Sequence, residues 1–145
     1  MRTVFHILLT MTVLAFISSC EMESSHGGDL DGYWHLQRIE TTQGHAADYQ
    51  DKRVFWAIQG HLIQLTDRDY QHAFLVSRYV RQGDSLILEH PYIDDRNHGD
   101  PEITDPEILR FYGLLPVSSR YHIETLSSDR MSLSADTLSL HFRKL

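Results

Sequence analysis

From Leu30 to the C-terminus, apolar and polar residues alternate with a period of two, the spacing that puts every second side chain of a strand on one face. Leu30, Gly32, Trp34 and Leu36 share one face of a first strand, with Tyr33, His35 and Gln37 opposite. Val54, Trp56 and Ile58 line a second strand; Gly60 breaks the run, and residues 62–65 continue it as a third. Phe74, Val76 and Val80, against Ser77, Tyr79 and Arg81, make a fourth, and Gly83-Asp84 turns the chain into Leu86-Ile87-Leu88. Tyr121 with Ile123, Met131 with Leu133, and Leu138 with Leu140 and Phe142 give three more. The last is the cleanest, since Thr137, Ser139, His141 and Arg143 are all polar on its other face. The pattern predicts an all-β fold, an antiparallel meander of about eight short strands. Closure into a small barrel leaves no exposed edge.

Residues 90–119 break the alternation and are too long for a hairpin turn. Asp105 suits an N-cap, Pro106 the first helical position and Gly113 the position just past the C-cap. Ile108, Phe111 and Tyr112 lie at helical spacing between them. The spacing predicts one short helix around residues 105–112, laid over one end or side of the sheet.

The N-terminus is of another kind. Arg2 precedes an apolar stretch from Val4 to Ile17, shorter than the ~20 residues that span a bilayer. Ile17-Ser18-Ser19-Cys20 follows. The order of charge, apolar core, small residues and cysteine resembles the lipoprotein signal of bacteria, in which the thiol is diacylated and the chain cut just before it. That resemblance divides the chain into a signal peptide (1–19), a flexible tether (20–29) and one domain (30–145), with Cys20 lipidated. It implies export and attachment to the outer membrane through the lipid anchor.

Composition narrows the partners. The formal net charge is -7, and cleavage before Cys20 removes Arg2 and leaves the remainder more acidic. Scattered Lys and Arg in an acidic chain lack the basic patch that nucleic acid requires. Cys20 is the single cysteine, so no disulfide is expected and the fold must rest on its core.

Leu30-x-Gly32-x-Trp34-x-Leu36 resembles the Gly-x-Trp first strand of lipocalin-like, or calycin-type, barrels. Leu138-x-Leu140-x-Phe142-Arg143-Lys144 resembles the closing strand of small lipocalin-like lipoproteins of Bacteroides-type bacteria, largely of unknown function. The resemblance implies a small lipocalin-like β-barrel over residues 30–145. It also implies that Trp34, with Gly32, closes one end of the barrel, often under a basic residue of the last strand. Strand parity points Lys144 inward with Phe142, and Arg143 outward.

Candidate chemistry is sparse. Gly83-Asp84-Ser85-Leu86 spells the signature of GDSL esterases, and Asp95-x-x-His98 their Asp-His block. Here, though, Ser85 opens a strand where that family opens a helix, and no oxyanion donor is identifiable. His90, Asp94, Asp95, His98 and Asp100 crowd one loop, yet their spacing matches no established zinc pattern. No catalytic residue, metal or cofactor is therefore assigned, and the chain is not expected to be an enzyme. Trp56, Phe74, Phe111 and Tyr112 are the candidates for a pocket under the helix, where aromatic walls suit a small apolar ligand. Two roles remain open: binding such a ligand, or serving the envelope as a protein-interaction or structural module with a filled barrel.

Overall fold

Ten strands, one short helix and two 3₁₀ turns make up residues 28–116 and 120–145, the part of the chain that the computed structural model describes. The expected signal peptide (1–19), Cys20 and most of the expected tether lie outside the described residues. The strands are β1 (Gly32–Thr41), β2 (Ala46–Asp48), β3 (Val54–Gln59), β4 (Leu62–Asp67), β5 (Leu75–Gln82), β6 (Ser85–Leu88), β7 (Tyr92–Ile93), β8 (Arg120–Leu126), β9 (Arg130–Ala135) and β10 (Leu138–Lys144). The helix α1 spans Pro106–Phe111. Among the described residues no helix is long and apolar enough to cross a membrane.

Eight strands close into an antiparallel barrel in the order β1-β3-β4-β5-β6-β8-β9-β10, with β10 returning to pair β1. These are the eight stretches in which the sequence alternates. β2 pairs with β1 above the β1–β3 ladder, and the two-residue β7 pairs with β5. Both were too short to carry a period of their own.

Alternation sets which side chains enter. Trp34 and Leu36 of β1, Trp56 and Ile58 of β3, Leu86 and Leu88 of β6, Tyr121 and Ile123 of β8, Met131 and Leu133 of β9, and Leu140 and Phe142 of β10 are all buried. One strand departs from expectation. On β5 the inward face carries Leu75, Ser77 and Tyr79, whereas Val80 is 45% exposed. Phe74 precedes the strand, and Val76 is only half-buried. A shift of one residue turns every side chain of a strand over, and the polar atoms on the chosen face are satisfied. The Ser77 hydroxyl donates to the Glu89 carbonyl at 2.7 Å, and the Tyr79 hydroxyl to the Gly60 carbonyl at 2.7 Å.

The helix starts and stops where its end residues dictate. The Asp105 side chain accepts the Glu107 amide at 2.9 Å, a cap whose loss costs about 1 kcal/mol. At the other end Gly113 sits at φ 79°, its amide donates to the Arg110 carbonyl, and the Leu114 amide donates to the Leu109 carbonyl. That pair of bonds is the Schellman closure. It turns the chain sharply, so that Tyr112, Gly113 and Leu114 are buried while no residue of α1 itself is fully buried.

A stoppered barrel mouth

Nothing separates the interior walls. Trp34, Leu36, Trp56, Ile63, Leu65, Leu75, Leu86, Tyr121, Met131, Leu133 and Leu140 have no exposed surface. A void large enough for a water molecule would leave accessible surface on its walls, and these have none. The interior is filled by its own side chains, as in many barrels of this size.

One end is closed from within. Trp34 stands opposite Trp56 on β3 and Lys144 on β10. Its indole donates to the Leu30 carbonyl at 2.7 Å, and the Lys144 ammonium lies 4.9 Å over its ring. Gly32 lets that lysine pass, since a β-carbon there would come within 2.2 Å of Lys144 Cε.

The other end is closed by the turn that follows α1. Tyr112 and Leu114 enter the mouth, and the carbonyls exposed by the end of the helix are taken up in succession by side chains of the β2–β3 connection and the wall. Tyr49 Oη donates to the Phe111 carbonyl at 2.9 Å, Trp56 Nε1 to that of Tyr112 at 3.1 Å, and Tyr121 Oη to that of Gly113 at 2.8 Å. In return Tyr112 Oη donates to the Ala73 carbonyl at 2.9 Å. Burial raises the pKa of Tyr112 and Tyr121 far above the ordinary tyrosine range, and those of Tyr49 and Tyr79 in the same direction. All four stay protonated at neutral pH and can donate.

A buried carboxylate braces the outside of this stopper. Asp67 accepts the amides of Asp69, Gln71 and His72, and His72 Nδ1 lies 3.1 Å from its Oδ2. A carboxylate only accepts, so the imidazole proton is on Nδ1. The ring so oriented stacks on Phe111 at 3.6 Å between centroids, and Tyr49 meets the same phenyl at 5.8 Å. Among the described residues no buried side-chain nitrogen or oxygen lacks a partner.

Beside the stopper lies a cleft of about 340 Å³. Ile39, Leu114, Leu115 and Leu138 give it an apolar floor, and Thr41, Thr137 and Arg110 stand at its rim. A larger, shallower groove of about 800 Å³ crosses the outer wall past Tyr33, Leu62, Gln64 and Arg96. It faces away from the barrel.

The profile of the lipocalin-like domain family matches residues 14–145. The chain belongs to that family. No curated protein matches it. The lipocalin-like barrel aligns with the crystal structure of a lipocalin-like protein from Bacteroides uniformis at a TM-score of 0.62 and 19% identity, over 81% of this chain and 100% of that one. It aligns with a protein from Bacteroides eggerthii described as uncharacterized at 0.57 and 18%, over 79% and 98%. A protein from Burkholderia xenovorans aligns at 0.53 and 14%, over 79% and 82%. Likeness at these identities establishes the fold alone and leaves any ligand to be argued from this chain.

Within the lipocalin-like barrel the four aromatic pocket candidates part company. Trp56 and Tyr112 are fully buried and bonded to each other. Phe111 is half-buried against Tyr49 and His72. Phe74 sits apart, on the outer surface between Tyr70 and Arg68. Trp34 and Gly32 are at the closed end, and Cys20 is outside the described residues. Ser85 opens β6 directly after the Gly83-Asp84 turn, opposite His122 on β8, and among the described residues no side-chain hydrogen bond joins it to a histidine. The loop acids bind one another's surroundings: Asp94 accepts from Gln64, Asp95 holds His98, and Asp100 accepts the Asp95 amide. Among the described residues no three potential metal ligands converge.

Tyr49, Asp67, His72 and Tyr121 are the residues of the mouth that periodicity did not single out. Tyr121 was visible as an inward position, but its hydroxyl's partner was not. Asp67, a lone acid ending an apolar strand before a polar turn, was the one local hint of a side chain folded back on its own loop.

Proposed function

We propose that this chain is a lipoprotein of the bacterial outer membrane, anchored through Cys20, whose lipocalin-like domain binds a small apolar molecule at the stoppered mouth without transforming it. The cleft of about 340 Å³ over Ile39, Leu114, Leu115 and Leu138 carries the reading. It falls at the lower end of the ~300–1,000 Å³ range of small-molecule sites, and it is where an apolar floor meets a few polar rim groups. The order of features ending at Cys20 supports the anchor and the address. Ser85 opens a strand and makes no side-chain hydrogen bond to its cross-strand neighbour His122, which supports a non-catalytic role.

Native mass spectrometry of the chain purified gently from its own host tests this. A reproducible extra mass, lost on denaturation and absent from a Leu115→Glu variant, is the expected result. A clean apoprotein mass overturns it. The filled interior would then favour the second reading, a structural or protein-interaction module of the envelope.

A further inference from the structure

Two donors of the wall, Trp56 and Tyr121, and one from the β2–β3 connection, Tyr49, form a receptor for carbonyl oxygens at the mouth, and the chain occupies it with its own backbone. Tyr49 Oη, Trp56 Nε1 and Tyr121 Oη serve the successive carbonyls of Phe111, Tyr112 and Gly113. The wall behind them is aromatic, with Trp56 6.0 Å from Tyr121 and 5.0 Å from Phe142 between centroids. The helix that brings these carbonyls has six residues and buries none of them fully, and so short a helix has no persistence of its own. It stays because Tyr112 and Leu114 fill the mouth and because the donors hold it.

The geometry points to residues 105–115 as a displaceable stopper, and to a flat apolar molecule bearing carbonyl oxygens, a ketone or quinone, as the ligand that replaces it. This deepens the reading of the mouth as a binding site and rests on it. The cleft is the vestibule, since Leu114 belongs to both the cleft and the stopper. When Tyr112 withdraws, the buried donors of Trp56 and Tyr121 are left in an aromatic space, with that of Tyr49 part-buried at its rim, and each buried donor left unpaired carries its full desolvation penalty. A hydrocarbon restores the lost volume and leaves the donors bare. A quinone of the same outline restores both. Discrimination by a missing hydrogen-bond partner exceeds what shape alone supplies.

Menadione and 2-methylnaphthalene share an outline and differ in two carbonyl oxygens, so they isolate the effect. Both are titrated against the chain purified from its host in a non-ionic detergent, with quenching or displacement read from tryptophan fluorescence and corrected for partition into empty micelles. Menadione is expected to bind at least about tenfold tighter. In Tyr121→Phe and Tyr49→Phe, one donor is removed from the closed and the open mouth alike. Quinone binding then changes little, hydrocarbon binding improves, and the preference shrinks several-fold. A variant that merely loosens the fold improves both probes together and keeps the ratio.

Equal affinity for the two probes, no binding of either, or a preference unchanged in both folded phenylalanine variants overturns the proposal. A co-purified ligand without carbonyl oxygens overturns it too, while leaving the broader reading of the mouth intact.

Discussion

Gly113 is where helix, stopper and barrel wall meet, and replacing it by alanine separates two costs. The first is conformational: at φ 79° the backbone is left-handed, which costs a residue with a β-carbon about 1–2 kcal/mol. The second is steric. A β-carbon at Gly113 would stand 2.5 Å from Leu140 Cδ2 and 3.1 Å from Cδ1. Leu140 has no exposed surface, so its methyl groups have nowhere to go without disturbing the core, an overpacking cost of about 1–3 kcal/mol. Gly113→Ala should therefore destabilise by about 2–5 kcal/mol.

Gly83 provides the control. It is also left-handed, at φ 60°, but a β-carbon there meets nothing within 4 Å. Gly83→Ala should cost only the conformational part, about 1–2 kcal/mol. Leu140→Ala removes the obstructing methyls and by itself costs about 2–5 kcal/mol. The double variant should then fall short of the sum of the two singles by about 1–3 kcal/mol, the relief of the contact. Urea unfolding followed by tryptophan emission measures all four, since Trp34 and Trp56 are both fully buried and become wet together. Gly113→Ala costing no more than Gly83→Ala, with additive double-variant energies, would refute the packing of the turn on Leu140.

Three further outcomes are expected. Tyr112 and Tyr121 hold their protons far above the ordinary tyrosine value in the folded state because they are buried, while in the unfolded chain they release them near pH 10. Their contribution to stability is full below about pH 10 and is lost as pH rises towards the folded values, with a slope approaching 1.4 kcal/mol per pH unit for Tyr121 and a further part from Tyr112; urea midpoints that stay flat from pH 9 to 11.5 would contradict it. Ser85→Ala should leave background hydrolysis of short-chain esters unchanged, and a serine-dependent rate would overturn the non-catalytic reading. Cys20→Ser should abolish labelling by a radioactive fatty acid and leave the chain uncut before residue 20; a variant that still takes up the label would remove the lipid anchor at Cys20.

The strands of the barrel were legible because a closed small barrel has one wet face and one dry face, and a period of two records that division directly. β10 shows it best, with Leu138, Leu140 and Phe142 against Thr137, Ser139, His141 and Arg143. β5 resisted for a definite reason. Its inward face includes Ser77 and Tyr79, polar by type, and its outward face includes Val76 and Val80. Hydrophobicity counts residue types, whereas burial is decided by whether each polar atom finds a partner. Ser77 finds the Glu89 carbonyl and Tyr79 the Gly60 carbonyl, so two hydroxyls enter at little cost. The caps of α1 were legible for the opposite reason, since Asp105 and Gly113 act through bonds to chain neighbours.

The mouth was only half legible, and the missing half is long-range. The aromatic residues grouped in the sequence were 56, 74, 111 and 112, of which Phe74 lies apart from the mouth, and the donors come from 49, 56 and 121, brought together by barrel closure and by the β2–β3 connection. Their arrangement also resolves the tension between the proposed binding of a ligand and a filled interior. A barrel that needed only stability could fill its mouth with leucine, which asks for no partner. Here the mouth holds two hydroxyls and an indole N–H that would be orphaned without acceptors, and it meets them with the end of a short helix, an element attached to the barrel by side chains and not by a strand ladder. Buried donors on the wall, at Trp56 and Tyr121, and acceptors on the short helix's end are the arrangement in which the proposed ligand, with two carbonyl oxygens, could take the place of the chain without leaving either buried donor unsatisfied.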